Sequence, residues 1–107
     1  MSWTHEQAVA LCIAVEAFAP AHGCHVALTG GLLYKGGARK DCDLVFYRIR
    51  QVEKVDVAGL FDALKAIGVK RVTDGDCFVI KAKHTDGDID CLFPEAESGH
   101  YIEEDGK

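Results

Sequence analysis

Residues 41–46 read Asp41-Cys42-Asp43-Leu44-Val45-Phe46, and residues 88–93 read Asp88-Ile89-Asp90-Cys91-Leu92-Phe93. Each is an acidic pair running into an apolar stretch, as a β-strand with one polar end would be. Successive side chains of a strand point to opposite faces. Asp41 and Asp43 therefore share one face and Cys42 takes the other, while Asp90, with Asp88, points away from Ile89 and Cys91. Laid side by side, the two strands bring three carboxylates, Asp41, Asp43 and Asp90, to one spot. Such a cluster binds a divalent metal and, through it, phosphate. Asp88 is one step from Asp86-Gly87, a hairpin signal, and reads as turn chemistry.

Working outward, an apolar run at residues 26–29 enters Gly30-Gly31, where the missing side chains let backbone approach a phosphate closely. Residues 32–40 read as a short helical turn followed by a glycine-containing loop. The first segment of the chain is helical: Thr4 and Gln7 form a capping box, and Ala8, Leu11, Cys12, Val15, Phe18 and Ala19 recur at helical spacing. Pro20 and Gly23 close it. Strands are expected at 25–29 and at 42–48, the second too continuously apolar for a sheet edge. Asp56 caps a second helix that buries Val57, Leu60, Phe61, Leu64 and Ile67 and stops at Gly68. Strands at 69–72, 77–83 and 88–93 follow, the last two as an antiparallel hairpin, and Pro94 ends the series. The expected fold is a single α/β (α+β) domain, a mixed β-sheet with helices packed against it. It spans residues 1–94, with 95–107 as an acidic C-terminal tail, mobile or loosely docked.

The chain has 107 residues, enough for one core and no more. No apolar run approaches the roughly 20 residues that cross a bilayer. The N-terminus lacks the basic-then-apolar layout of a signal peptide, so a cytoplasmic protein with no membrane partner is expected. Five cysteines are an odd number, have no Cys-x-x-Cys spacing and sit in apolar stretches. They read as reduced core thiols rather than a zinc site or disulfide framework.

The net charge is −5, but residues 95–107 carry five acids against Lys107 and account for −4 of it. Lys35, Arg39, Lys40, Arg48, Arg50 and Lys54 make the middle of the chain locally basic around Asp41 and Asp43. Arg39 and Lys40 are the nearest candidates to contact a polyphosphate, with Lys35 and Lys81 as lesser ones. The overall charge gives no support for a nucleic-acid acceptor. The five histidines are scattered and read as surface or half-buried residues, and Trp3 as packing beside the first helix.

Taken in order, Thr29-Gly30-Gly31, Asp41-Cys42-Asp43 and Ile89-Asp90-Cys91 resemble the nucleotidyltransferase superfamily of the polymerase-beta type. That family joins an apolar-Gly-Gly/Ser turn to an Asp-x-Asp or Asp-x-Glu strand and a later lone acid between apolar residues. The resemblance covers about residues 24–93, with the stretch between turn and acids at the family's short end. It implies magnesium or manganese as cofactor and a nucleoside triphosphate as substrate. Asp41 and Asp43 would be ligands of the metal carrying the triphosphate. Asp43 and Asp90 would hold a second metal beside the attacking hydroxyl, and Asp90 would accept its proton. Gly30, Gly31, Arg39 and Lys40 would contact the nucleotide.

The implied reaction transfers a nucleoside monophosphate to a hydroxyl of a protein, an RNA or a small molecule. Gly31 departs from the commoner Ser, leaving only backbone to meet phosphate there. The chain also has no room for the helical domain that many members append. It resembles the minimal, single-domain members, whose site a protein partner or a homodimer would complete. The alternative is a non-catalytic protein of the same fold, phage, mobile-element or antitoxin-like, that binds nucleotide or a protein partner.

Overall fold

The computed structural model describes residues 3–30, 40–74, 79–95 and 101–102. Helix α1 spans His5–Glu16, opened by the expected capping box: Gln7 N–H donates to Thr4 Oγ1 at 3.2 Å and Thr4 N–H to Gln7 Oε1 at 2.9 Å. It stops sooner than the apolar spacing suggests. Pro20 would clash with the Glu16 carbonyl if the helix continued, and the chain instead forms a short 3-10 turn, Ala19–His22. Glu16 then ties the helix end to the first strand, accepting from Val26 N–H at 3.0 Å and meeting His25 Nδ1 at 2.6 Å.

Strand β1 is Cys24–Thr29 and β2 is Asp41–Arg48; β3, Val55–Asp56, leads into helix α2, Val57–Leu64. Asp56 caps α2 as expected, accepting from Gly59 N–H at 3.0 Å. Strands β4 (Lys70–Asp74), β5 (Val79–His84) and β6 (Gly87–Leu92) follow, and β7 is Tyr101–Ile102. Five strands form one mixed sheet in the order β1-β2-β6-β5-β4. Within this sheet β2 and β6 run parallel and the other three pairings are antiparallel. The expected mixed sheet with helices packed against it is the observed fold. In the last segment, β7 pairs parallel with β3, and the Glu95 carboxylate accepts from Arg48 N–H at 3.3 Å.

Alternation sorts the sheet into two faces. Cys24 and Val26 of β1, Cys42, Leu44 and Phe46 of β2, Ile89 and Cys91 of β6, and Ile80 and Ala82 of β5 are all buried on the helix side. They meet Ala8, Leu11 and Val15 of α1 and Leu60, Phe61 and Leu64 of α2 in one continuous core. Phe46 and Phe93 stack at 4.9 Å between centroids, and Phe61 tilts against Phe93 at 6.2 Å. Among the described residues the opposite face carries no helix, and it holds the acids. No described helix is long and apolar enough to cross a membrane.

Two strand-level expectations change. The hairpin loop is Thr85-Asp86 rather than Asp86-Gly87, because His84 pairs with Gly87. Asp88 is consequently a strand residue, not part of the turn. Gly87 is needed in β6 for another reason: Trp3 is fully buried against it, and a Cβ there would lie 2.7 Å from the indole Nε1. Trp3 donates that N–H to the Asp88 carbonyl at 2.7 Å and stacks on His84 at 5.6 Å. Its ring belongs to the core and closes the end of the hairpin.

Candidate active site

The parallel pairing of β2 with β6 sets Asp41 opposite Asp88 and Asp43 opposite Asp90. On the other side of β6, the antiparallel hairpin sets Lys83 opposite Asp88 and Lys81 opposite Asp90. The open face thus carries two rungs of charge, Asp41–Asp88–Lys83 and Asp43–Asp90–Lys81. The rungs lie two residues apart, about 6.6 Å along the strands. On these two rungs four carboxylates face two ammonium groups, so among the described strand residues acids outnumber cations there.

Asp43 and Asp90 are cross-strand partners whose carboxyls come within hydrogen-bonding reach of each other. Burial raises the Asp43 carboxyl above its ordinary 3.8, and so do the nearby charges of Asp90 and Asp41 and a carboxyl–carboxyl hydrogen bond with Asp90. Only Lys81 opposes the rise. The Lys81 ammonium donates to Asp90 Oδ1 at 2.7 Å, and this pair raises Lys81 in turn. On the other flank of β2, Thr29 of β1 faces Asp43. Gly30 follows with φ of +75°, and any Cβ there would collide with Asp43 Oδ2. The first glycine of the pair is therefore required on two counts: it takes a left-handed turn that side chains disfavour, and it makes room for the carboxylate.

Of the residues singled out from the sequence, the fold brings together Gly30, Asp43 and Asp90, with Asp41 one rung away at the exposed start of β2. Lys40 immediately precedes Asp41 and is exposed. Gly31 and Arg39 lie outside the described residues, as do Lys35, Cys77 and the short helical turn expected after the glycines. Among the described residues no group of three or more His, Cys, Asp or Glu side chains stands ready as a metal-ligand set. The strand register sets Asp41 opposite Asp88, one rung from Asp43 and Asp90.

The donor chemistry nevertheless fits a hard divalent cation. Two neighbouring carboxylates, one of them raised by burial and by the charge of the other, form an oxygen-only site that gains from added positive charge. Two hollows adjoin it. A shallow one of about 270 Å³ is lined by Asp41, Lys81, Lys83, Asp88 and Asp90, with Val72 beside them. The other, about 430 Å³ and apolar, is lined by Thr29, Val45, Leu92 and Pro94. Along β2, Asp43 sits between Asp41 of the first and Val45 of the second.

Lys81 is a lesser candidate from the sequence, and the observed hairpin register gives it more weight. A loop of Asp86-Gly87 would set Lys83 opposite Asp90; the observed Thr85-Asp86 loop sets Lys81 there. The signal was present, since a two-residue loop fixes every pairing behind it. The same register makes Asp88, read from the sequence as turn chemistry, a strand residue opposite Asp41 and Lys83.

The thiols behind the site are core residues. Cys42 and Cys91 are buried and free, and burial with the charges of the neighbouring aspartates pushes Cys42 up to about 12 and Cys91 higher still. Neither is a nucleophile at neutral pH. The chain matches no protein-family model and no curated protein.

Proposed function

We propose that this chain is a metal-dependent nucleotidyltransferase that moves a nucleoside monophosphate from a nucleoside triphosphate to a hydroxyl acceptor. The observation that carries the reading is the contact of Asp43 with Asp90 across the parallel β2–β6 pair, with side-chain-free Gly30 against Asp43. It joins three elements that the ordered sequence pattern separates by up to sixty residues. The resemblance of that pattern to the nucleotidyltransferase superfamily supports the same reading.

Asp43 and Asp90 would hold magnesium or manganese, with Asp41, the third carboxylate of the sequence pattern, one rung along the strand. The cation supplies charge neutralisation on the phosphates and on the attacking and leaving oxygens. The chain's own groups do the rest. Gly30, without a side chain, lets the Asp43 carboxylate lie against the end of β1. Lys40, Lys81 and Lys83 border the acids and balance the added negative charge of a triphosphate. Asp90 accepts the proton of the acceptor hydroxyl as its oxygen bonds to the α-phosphorus. The bond to the β-phosphate oxygen breaks, and pyrophosphate leaves with that electron pair. Buried, reduced cysteines are in keeping with a cytoplasmic setting for this chemistry.

The test is transfer of label from α-labelled ATP, or release of pyrophosphate, in magnesium or manganese. The acceptors offered are the chain itself, RNA and small hydroxyl compounds. Wild type transfers, and Asp43→Asn and Asp90→Asn each lose about 10²-fold or more. Nucleotide binding without transfer to any acceptor would favour the non-catalytic alternative of the same fold.

A further inference from the structure

Lys81 and Asp90 form an ion pair on the open face. The ammonium reaches Asp90 Oδ1 at 2.7 Å, from the strand directly opposite. Asp90 is also the carboxylate that touches Asp43, so Lys81 neutralises the spot where the two acids meet. The Asp90 side chain is 21% exposed and that of Lys81 is 48% exposed. The lysine reaches inward from solvent over its partner and can swing away without disturbing the sheet. Lys83 has the same charge, strand and face, and stands two residues along, opposite Asp88.

We propose that Lys81 is a built-in counter-ion that fills the Asp43–Asp90 site in the free protein and competes with a divalent cation for Asp90. This rests on the reading of those carboxylates as a cation site. The physical argument is charge balance in a confined place. Two carboxylates side by side repel each other unless a cation stands beside them, and among the described residues Lys81 is the cation paired with Asp90. A metal ion on Asp90 must take over that oxygen and repel the ammonium. The lysine swings off Asp90 within the hollow that both already line with Asp41, Lys83 and Asp88. There it can pair with the phosphates of an incoming nucleotide. Metal entry and phosphate contact become two ends of one lysine movement, which ties cation affinity to the presence of the triphosphate.

Manganese binding without nucleotide, measured by the loss of the free-ion paramagnetic resonance signal, tests this on four proteins: wild type, Lys81→Met, Lys81→Arg and Lys83→Met. An exposed pair is a modest competitor, so Lys81→Met is expected to bind manganese roughly two- to fivefold more tightly than wild type. Lys81→Arg keeps the charge and is expected to bind like wild type. Lys83→Met removes the same charge from the neighbouring rung and is expected to change affinity less than Lys81→Met. Manganese binding that appears only in Lys81→Met would also support the proposal. Equal affinity of wild type and Lys81→Met would overturn it while leaving the cation site intact, and so would equal gains in the two Met variants. No binding by any of the four would overturn it together with the cation site itself.

Discussion

Asp43 is held where its charge is unwelcome. Burial, Asp90 and Asp41 all raise its carboxyl above 3.8, so the folded chain holds that proton more tightly than the unfolded chain does. Stability linked to this group is greatest below pH 3.8 and falls as the pH climbs through the raised value. At neutral pH the ionised form weakens the fold. Asp43→Asn removes the charge at nearly constant shape. It is expected to raise Tm by a few degrees at pH 7 in the absence of divalent cations, and to flatten this part of the pH dependence. Thermal melts of both proteins from pH 4 to 8 check it. A variant less stable than wild type at pH 7 would show that the carboxylate is satisfied by the fold itself. The expected pattern, a more stable but inactive variant, is what a functional group kept at a stability cost produces.

At the scale of elements, the hairpin β5–β6 carries both the acid Asp90 and the lysine that holds it, so its register decides the site. That register is anchored at the far end by Trp3. The indole lies over Gly87 and binds the Asp88 carbonyl from a point 85 residues earlier in the chain. Trp3→Phe keeps most of the buried ring but leaves that carbonyl without its donor. The expected loss is about 1–3 kcal/mol of stability, read from denaturant unfolding. Wild-type stability in the variant would mean that the hairpin holds its register without Trp3.

Local elements were legible in the sequence where the chemistry is local. The Thr4–Gln7 capping box, the Asp56 cap and the alternation of 41–46 and 88–93 each declare themselves within a few residues. Ends were less so: the apolar spacing carried the first helix through Phe18 and Ala19, whereas Pro20 stops it at Glu16. The hairpin slipped by one residue because Gly87 looks like a turn glycine, and its true reason, the packing of Trp3, lies at the other end of the chain.

At the scale of the whole molecule, the helices cover one face of the sheet and the acids line the other. Alternation alone placed Asp41, Asp43 and Asp90 on that open face. It could not say that β2 and β6 are neighbours, because their pairing is made through a long crossover that includes α2. Nor could it give their register, which seats Asp43 beside Asp90 and leaves Asp41 beside Asp88. The pairing of Lys81 with Asp90 follows only once the hairpin register is known. The site is therefore written in pieces along the sequence and assembled by two strand registers, one parallel and one antiparallel.

The central claim is that this assembled patch binds a divalent cation together with a nucleoside triphosphate. The most direct measurement is the thermal midpoint of wild type and Asp43→Asn as manganese and ATP are titrated in together. The wild-type midpoint should climb with concentration, reaching about 2.7 kcal/mol of added stability at 100 times the Kd. Asp43→Asn should begin higher and stay flat. A wild-type midpoint that does not move, or a variant that climbs as far as wild type, would contradict the claim.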